Sequence, residues 1–260
     1  MTIHGFGRTD KGLLKENNED NIYIDGNFVP DVDIASAAFC IDKERFEHTV
    51  AVFDGIGGAD CGEFASLAAA MLLKECDIKR ITDINECIYE LNNAVLVEVR
   101  KRKIRGMGST AAVVHIEDNE LHYANVGDSR IYLYDGGQLE QLSVDHTRNQ
   151  MLKDLGINDE ELLKRYDHQL SQNLGISEDD FIIEPATGCR KLKDGDIVIL
   201  CSDGITDVVS DIEIEELLSN NTGADVQFIT NNLFDLAIEK ASRDNLSLIV
   251  LKSNYNEIEA

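Results

Sequence analysis

Short, uninterrupted apolar runs punctuate the chain at residues 21–24, 49–53, 110–116, 121–126, 131–134, 197–201 and 247–251. Their length, their content of Val, Ile and aromatic residues, and the turn residues that bound them predict β-strands. Gly136-Gly137, just after the run at 131–134, predicts a hairpin turn. Apolar residues recur at helical spacing over 63–74, from 84 to about 102, and over 226–240, which predicts three helices. Ser210 followed by Glu213 has the form of a capping box and starts a fourth helix over 212–218. Helices fall between groups of strands rather than after every strand. That order favours an antiparallel α+β arrangement over a doubly wound parallel sheet. The segment 143–181 differs, being polar and weakly helical; it reads as an excursion that could cover a site.

The 260 residues allow a sizeable core, and no linker, repeat or proline cluster marks a boundary, Pro30 and Pro185 being the two prolines. The expectation is therefore one domain over 1–260. Hydrophobic residues at 43% and charged residues at 28% are ordinary for a folded, soluble chain. Lys plus Arg number 24 against 49 Asp plus Glu, a net charge of −25. Such a surface repels nucleic acid and anionic lipid, so neither is an expected partner. The acidity by itself means a solvated surface and does not imply metal binding. The six cysteines form no C-x-x-C pair and read as buried free thiols. The start of the chain lacks the pattern of a secretion leader, and no run approaches about 18 apolar residues, so a cytoplasmic location is the default expectation.

The candidate chemistry is positional. Val50-Ala51-Val52-Phe53 runs into Asp54-Gly55, and the run at 197–201 leads through Ser202 into Asp203-Gly204. Asp244-Asn245 precedes the last strand, and Glu19-Asp20 precedes the strand at 21–24. Each Asp-Gly alone is an ordinary turn dipeptide. Together, carboxylates at neighbouring strand ends can converge on one sheet edge, where they would repel one another unless a cation neutralised them. Hard cations such as Mg²⁺ and Mn²⁺ keep several waters and need few protein ligands, so scattered aspartates suit them. Zinc would want clustered His and Cys, but the six histidines show no H-x-x-x-H spacing and read mostly as surface or satisfied core residues. Gly55-Ile56-Gly57-Gly58 lacks the G-K-[ST] ending of a phosphate-binding P-loop. No nucleophile elbow or cysteine-nucleophile signature is present, so activated water is the better nucleophile.

Six segments in order resemble the metal-dependent type-2C (PPM) serine/threonine protein phosphatases, particularly compact bacterial members. They are Thr9-Asp10-Lys11-Gly12 through Glu19-Asp20, Val52-Phe53-Asp54-Gly55-Ile56-Gly57-Gly58 through Ser66, and Gly106-Met107-Gly108-Ser109-Thr110. The rest are Ala124-Asn125-Val126-Gly127-Asp128-Ser129-Arg130, Leu200-Cys201-Ser202-Asp203-Gly204 and Ser242-Arg243-Asp244-Asn245. The resemblance implies two central, mainly antiparallel β-sheets packed face to face and flanked by helices, with a flap near 143–181. It implies two divalent cations, Mn²⁺ or Mg²⁺, and a third, weaker one. In that pattern Asp54 bridges two metals, the Gly55 carbonyl binds one, and Asp203 and Asp244 bind the other. Asp128 joins Asp203 at the third, and Glu19 and Asp20 hold metal-bound waters. The implied reaction is hydrolysis of phosphoserine and phosphothreonine by in-line attack of a bridging hydroxide, without a phosphoenzyme. The implied partner is a phosphorylated protein, the substrate of a serine/threonine kinase, and the chain is expected to be monomeric.

Three departures from the family pattern bear on substrate. Lys15 stands where an arginine usually grips the phosphate, keeping the charge but losing the bidentate fork. Ile56 stands where many eukaryotic members carry a histidine proposed as general acid. The flap, opened by Asp145-His146-Thr147 and closed by His168 through Gly175, ends in Ser171-Gln172-Asn173-Leu174-Gly175 rather than Thr-Arg-Ala-Leu-Gly. A pseudophosphatase scaffold and a hydrolase of small phosphate esters are the alternative expectations.

Overall fold

The structure, a computed structural model, describes residues 1–41, 47–57, 61–76, 78, 81–104, 106–166, 169–177, 179 and 181–255. In chain order its elements are β1 (Thr2–Asp10), β2 (Asn21–Ile24), β3 (Asn27–Phe28), β4 (Ser36–Cys40), β5 (Glu47–Phe53), β6 (Gly55–Ile56), α1 (Gly62–Leu73) and α2 (Ile81–Arg102). There follow β7 (Gly108–Ser109), β8 (Ala111–Glu117), β9 (Glu120–Val126), β10 (Arg130–Tyr134), β11 (Leu139–Gln141), α3 (Arg148–Asp154) and α4 (Glu160–Arg165). The chain closes with β12 (Ala186–Lys191), β13 (Ile197–Cys201), α5 (Asp203–Thr206), α6 (Asp211–Asn220), α7 (Val226–Glu239) and β14 (Leu246–Asn254).

Among the described residues the strands form two antiparallel six-stranded sheets, ordered β11-β10-β13-β14-β1-β4 and β12-β9-β8-β5-β2-β3, with a small ladder β6-β7. The apolar runs are continuous because both faces of each sheet are covered, an arrangement more usual in parallel sheets. Along β5, Val50 and Val52 join the layer between the sheets, while Ala51 and Phe53 meet α1 and α2. Along β13, Val198 and Leu200 point to the same central layer, and Ile197, Ile199 and Cys201 pack under α5, α6 and α7. Fully buried Leu200 and Ile249 are each worth about 2 kcal/mol relative to exposure. The α+β fold of two antiparallel sheets flanked by helices is thus built on three apolar layers.

The four expected helices appear as α1, α2, α6 and α7. α6 opens on a complete capping box between Ser210 and Glu213, and α7 on Asp225, which accepts from Phe228 N at 2.7 Å. The hairpin turn at Gly136-Gly137 joins β10 to β11. Segment 143–181 contains α3 and α4, closes on itself at Thr147↔Leu170 and is bridged to the body at Ser109↔Leu174. His168 and Gly58, named from the sequence, lie outside the described residues. No helix among those described is long and apolar enough to cross a membrane.

One expectation needs correction, that for the cysteines, and two features went unread in the sequence. The chain's first strand, β1, carries no continuous apolar run, because Gly5 and Gly7 occupy buried positions where a side chain would strike Ile41 and Ile24. The cysteines are all free, but Cys40 and Cys189 are exposed: they lie on edge strands β4 and β12, whose alternate residues face solvent. The histidines are not all satisfied, since His115 Nε2 and His122 Nδ1 are buried without a hydrogen-bond partner.

Candidate metal centre

Strand register brings the scattered carboxylates to one edge. In the first sheet, Arg130 pairs with Cys201 and Cys201 with Leu248, so the residues just outside β10, β13 and β14 are neighbours: Asp128, Asp203 and Asp244. In the second, Asn21 pairs with Phe53, which sets Asp20 beside Asp54. Face-to-face packing of the sheets joins the two groups. Lys15, Glu19, Asp54, Gly55, Asp128, Asp203 and Asp244 line one cleft of about 380 Å³, together with Ile56, Gly57, Thr110, Leu170 and Asn173. Asp20 does not line it. It is buried beneath, 4% exposed, and its Oδ2 accepts from Ser202 Oγ at 2.8 Å.

The backbone at the cleft is held closely. Asp54 N donates to Thr110 Oγ1 at 3.0 Å, and Asp54 O accepts from Thr110 N at 2.8 Å and Ser109 Oγ at 3.0 Å. At Gly55 a Cβ would overlap the carbonyl oxygens of Glu19 and Gly62, so only glycine lets the chain pass between them. Gly204 is constrained likewise by Asn245 O. α1 has no capping side chain of its own. Glu19 replaces one from a distance, its Oε1 accepting from Gly62 N at 3.1 Å at the positive end of the helix.

Asn245 connects the loop carrying Lys15 and Glu19 to the start of β14. Its Oδ1 accepts from Glu19 N at 2.9 Å, and its Nδ2 donates to Lys11 O and Asn17 O, each at 2.9 Å. Below it a hydroxyl chain runs from Asn18 through Thr9 to Ser247, whose backbone N donates to Ser202 Oγ at 3.0 Å. The sequence reading assigned no role to Asn245, Ser202, Ser247, Thr9 or Thr110. The available signal was a polar residue inside or flanking an apolar strand, which calls for a partner.

The electrostatics favour a cation. Burial, followed by repulsion from Asp20, Asp203, Asp128 and Asp244, holds the Asp54 carboxyl well above the ordinary range. Burial pushes Asp128 up to about 8, with Asp203 and Asp145 adding to it. Burial likewise raises Asp20 to about 7, against the hydrogen bonds of Ser247 and Ser202 and with repulsion from Asp203 and Asp244. Among the described lining residues the cationic side chain is Lys15, with Nζ 2.6 Å from Asp244 Oδ1 and 4.0 Å from Glu19 Oε2. Burial pulls its ammonium down, but the hydrogen bond to Asp244 and the charges of Asp244, Glu19 and Asp54 outweigh this and hold it above its ordinary value. One ammonium cannot neutralise this many carboxylates.

Among the described residues no three His, Cys, Asp or Glu side chains close into a ready metal cage. Oxygen donors around an open, polar cleft therefore fit hydrated hard cations rather than a closed thiolate or imidazole site. Beside the cleft, Arg130 grips Asp145 through Nε at 3.1 Å and Nη2 at 2.7 Å, tying the opening of segment 143–181 to β10.

A two-sheet sandwich with a carboxylate-lined cleft at one edge defines a metal-centre fold, and comparison with known proteins places it. The sequence profile of the protein phosphatase 2C family matches residues 26–151 and 160–246. The chain belongs to that family. It is 29% identical over 257 residues to the serine/threonine protein phosphatase PstP of Mycobacterium tuberculosis, covering 96% of this chain and 45% of PstP. It thus spans about half the length of that relative. It is 28% identical to the serine/threonine phosphatase stp of Listeria monocytogenes, covering 98% of each chain. The crystal structure of the catalytic domain of PstP in complex with two manganese ions superposes with a TM-score of 0.77 at 27% identity, covering 98% of this chain and all of that one.

Proposed function

We propose that the chain is a Mn²⁺- or Mg²⁺-dependent phosphatase of phosphoserine and phosphothreonine in proteins. The observation that carries this is the convergence of Asp54, Asp203 and Asp244 with Lys15 in one cleft of a protein phosphatase 2C chain. In this reading Asp54, the Gly55 carbonyl, Asp203 and Asp244 hold two cations, and Asp128 with Asp203 holds a weaker third. Bound there, the cations supply the positive charge and Lewis acidity that activate water and offset charge on phosphoryl oxygens.

The chain's own residues set the rest. Glu19 accepts hydrogen bonds from water at the cleft and orients it, while Asp20, buried beneath the cleft on Ser202, adds negative charge beside Asp54. Lys15, tied to Asp244, turns to the substrate phosphate once Asp244 is otherwise engaged. Water attacks phosphorus in line, the bond to the serine or threonine oxygen breaks, and that oxygen takes a proton from solvent, because Ile56 offers none. Direct attack is supported by the absence of a free hydroxyl nucleophile among the described lining residues. Thr110 Oγ1 is engaged by Asp54 N and by Ser129 Oγ at 2.6 Å.

We further read 1–260 as one catalytic domain with a flap at 143–181, acting as a monomer on substrates of a serine/threonine kinase. A core layer shared by both sheets supports the single domain. The six free thiols suit a reducing, cytoplasmic compartment.

The test is release of phosphate from phosphoserine, phosphothreonine and phosphotyrosine peptides and from p-nitrophenyl phosphate, with and without Mn²⁺ or Mg²⁺. The expectation is cation-dependent turnover of the first two peptides, lost in Asp54→Asn. A folded wild-type chain without cation-dependent turnover contradicts the enzyme reading, and turnover confined to small esters contradicts the protein substrate.

A further inference from the structure

At the end of β8 and β9 remote from the cleft, the second sheet carries an unrelated pair of side chains. His115 and His122 are directly opposed in the register of the two strands. Cross-strand partners of this kind have Cβ atoms about 4.5–5.5 Å apart on one face. This is the face that Val113 and Ala124 turn toward the α1–α2 layer. His115 is 3% exposed and the His122 side chain 12%. Thr110, which lines the cleft, lies five residues before His115, or about 17 Å along the strand.

Each ring has one nitrogen beside a polar neighbour and one without. His115 Nδ1 is 2.9 Å from Thr49 Oγ1, and His122 Nε2 is 3.8 Å from Glu120 Oε2. The remaining atoms, His115 Nε2 and His122 Nδ1, are both buried and have no partner. Two unsatisfied ring nitrogens on directly opposed residues are a costly arrangement for a core unless a further atom serves both. If His115 Nδ1–H donates to Thr49, its Nε2 presents a lone pair, the form in which histidine ligates metals, with the other nitrogen fixing the ring. Burial, with His122 and His48 adding to it against the pull of Glu47 and Asp25, lowers the His115 pKa and keeps the ring neutral.

We propose that His115 Nε2 and His122 Nδ1 form a two-imidazole site for a borderline divalent cation of the Cu²⁺ or Zn²⁺ class, separate from the carboxylate centre. Imidazole nitrogen selects such cations over Mg²⁺ and Mn²⁺, which prefer the oxygen ligands of the cleft. Since no three such side chains among the described residues form a cage, water completes the coordination, with Glu120 beside the His122 ring. A cation there would cross-link β8 to β9, strands whose opposite ends adjoin Thr110, which lines the cleft, and Gly127, which precedes Asp128.

The test uses the full chain, stripped of metal with a chelator, saturated with Mg²⁺ to occupy the carboxylates, and titrated with Cu²⁺ under electron paramagnetic resonance. One equivalent should give a spectrum with coupling to two nitrogens. That spectrum should be absent in His122→Ala. It should form about 10–100-fold more weakly in Thr49→Val, which loses the hydrogen bond that orients the ring. An oxygen-only spectrum in the wild type overturns the proposal and needs no variant to fold. A two-nitrogen spectrum that persists in folded His122→Ala overturns it equally. Neither readout depends on phosphate release, so failure here leaves the phosphatase reading untouched.

Discussion

Lys15 Nζ lies 2.6 Å from Asp244 Oδ1, so the group proposed to receive the substrate phosphate is held by a carboxylate proposed to receive a cation. Cation binding and phosphate binding are thereby linked through one side chain. Lys15→Met, which removes the competitor from Asp244, should tighten Mn²⁺ binding by roughly threefold, given the modest worth of a half-exposed ion pair. It should weaken phosphopeptide binding at the same time. Calorimetric titration of Mn²⁺ beside steady-state KM separates the two effects, and loss of both would contradict the linkage.

Replacing the ammonium by a guanidinium restores a bidentate phosphate grip. Lys15→Arg should lower KM for phosphopeptides by roughly three- to fivefold, about 1 kcal/mol, with kcat little changed. An unchanged or higher KM would count against Lys15 as the phosphate-binding residue.

The raised carboxyls make the metal-free fold sensitive to pH in a defined direction. Asp20 titrates at about 7 and Asp128 at about 8 in the folded chain, and Asp54 is also raised. In the unfolded chain such groups titrate near 4. Between these values the folded state binds more protons, so its stability falls as pH rises from about 4 through 8. The melting temperature of chelated protein should therefore be higher at pH 6 than at pH 8. Added Mn²⁺ should raise it more at pH 8, where the carboxylates are charged. A melting temperature that climbs with pH in the metal-free state would refute the argument.

Asn245 is 2% exposed and satisfies three backbone groups of the loop that carries Lys15 and Glu19. Asn245→Ala should cost about 3 kcal/mol in urea unfolding, roughly 1 kcal/mol per lost bond. It should also weaken Mn²⁺ binding, because Glu19 loses its backbone anchor. Full cation affinity in the variant would show that the loop is positioned by other contacts.

Asn92 on α2 secures the exit of segment 143–181, accepting from Gly175 N at 2.8 Å and Ile176 N at 3.1 Å and donating to Ile176 O at 3.0 Å. The adjoining Leu174 bridges Ser109, whose hydroxyl donates to Asp54 O. Asn92→Leu should free this segment, raising its susceptibility to limited proteolysis and raising KM roughly fivefold through about 1 kcal/mol of lost positioning. Wild-type cleavage kinetics would contradict that role.

Much of this was legible in the sequence where local and tertiary demands agree. The runs at 197–201 and 247–251 read as strands because their side chains are buried on both faces, and Ser210 with Glu213 announced α6 through a purely local capping box. Asp54, Asp203 and Asp244 stood out because each abuts such a run. β1, β4 and β12 did not read as strands. β1 has glycines where the neighbouring core leaves no room, and the edge strands β4 and β12 alternate in exposure, as short polar segments also do.

The sequence by itself determined most of the element types, the acidic character, and which carboxylates sit at strand ends. Those properties follow from side-chain periodicity and local hydrogen bonding. Only the tertiary structure decided that Thr2 would pair with Asn254, that Glu19 would cap α1, that Asp20 would sink beneath the cleft onto Ser202, and that His115 would face His122. Each of these joins residues distant in the chain or fixes a register. Such choices are made by the shared burial of two sheets, whose energy belongs to no single segment.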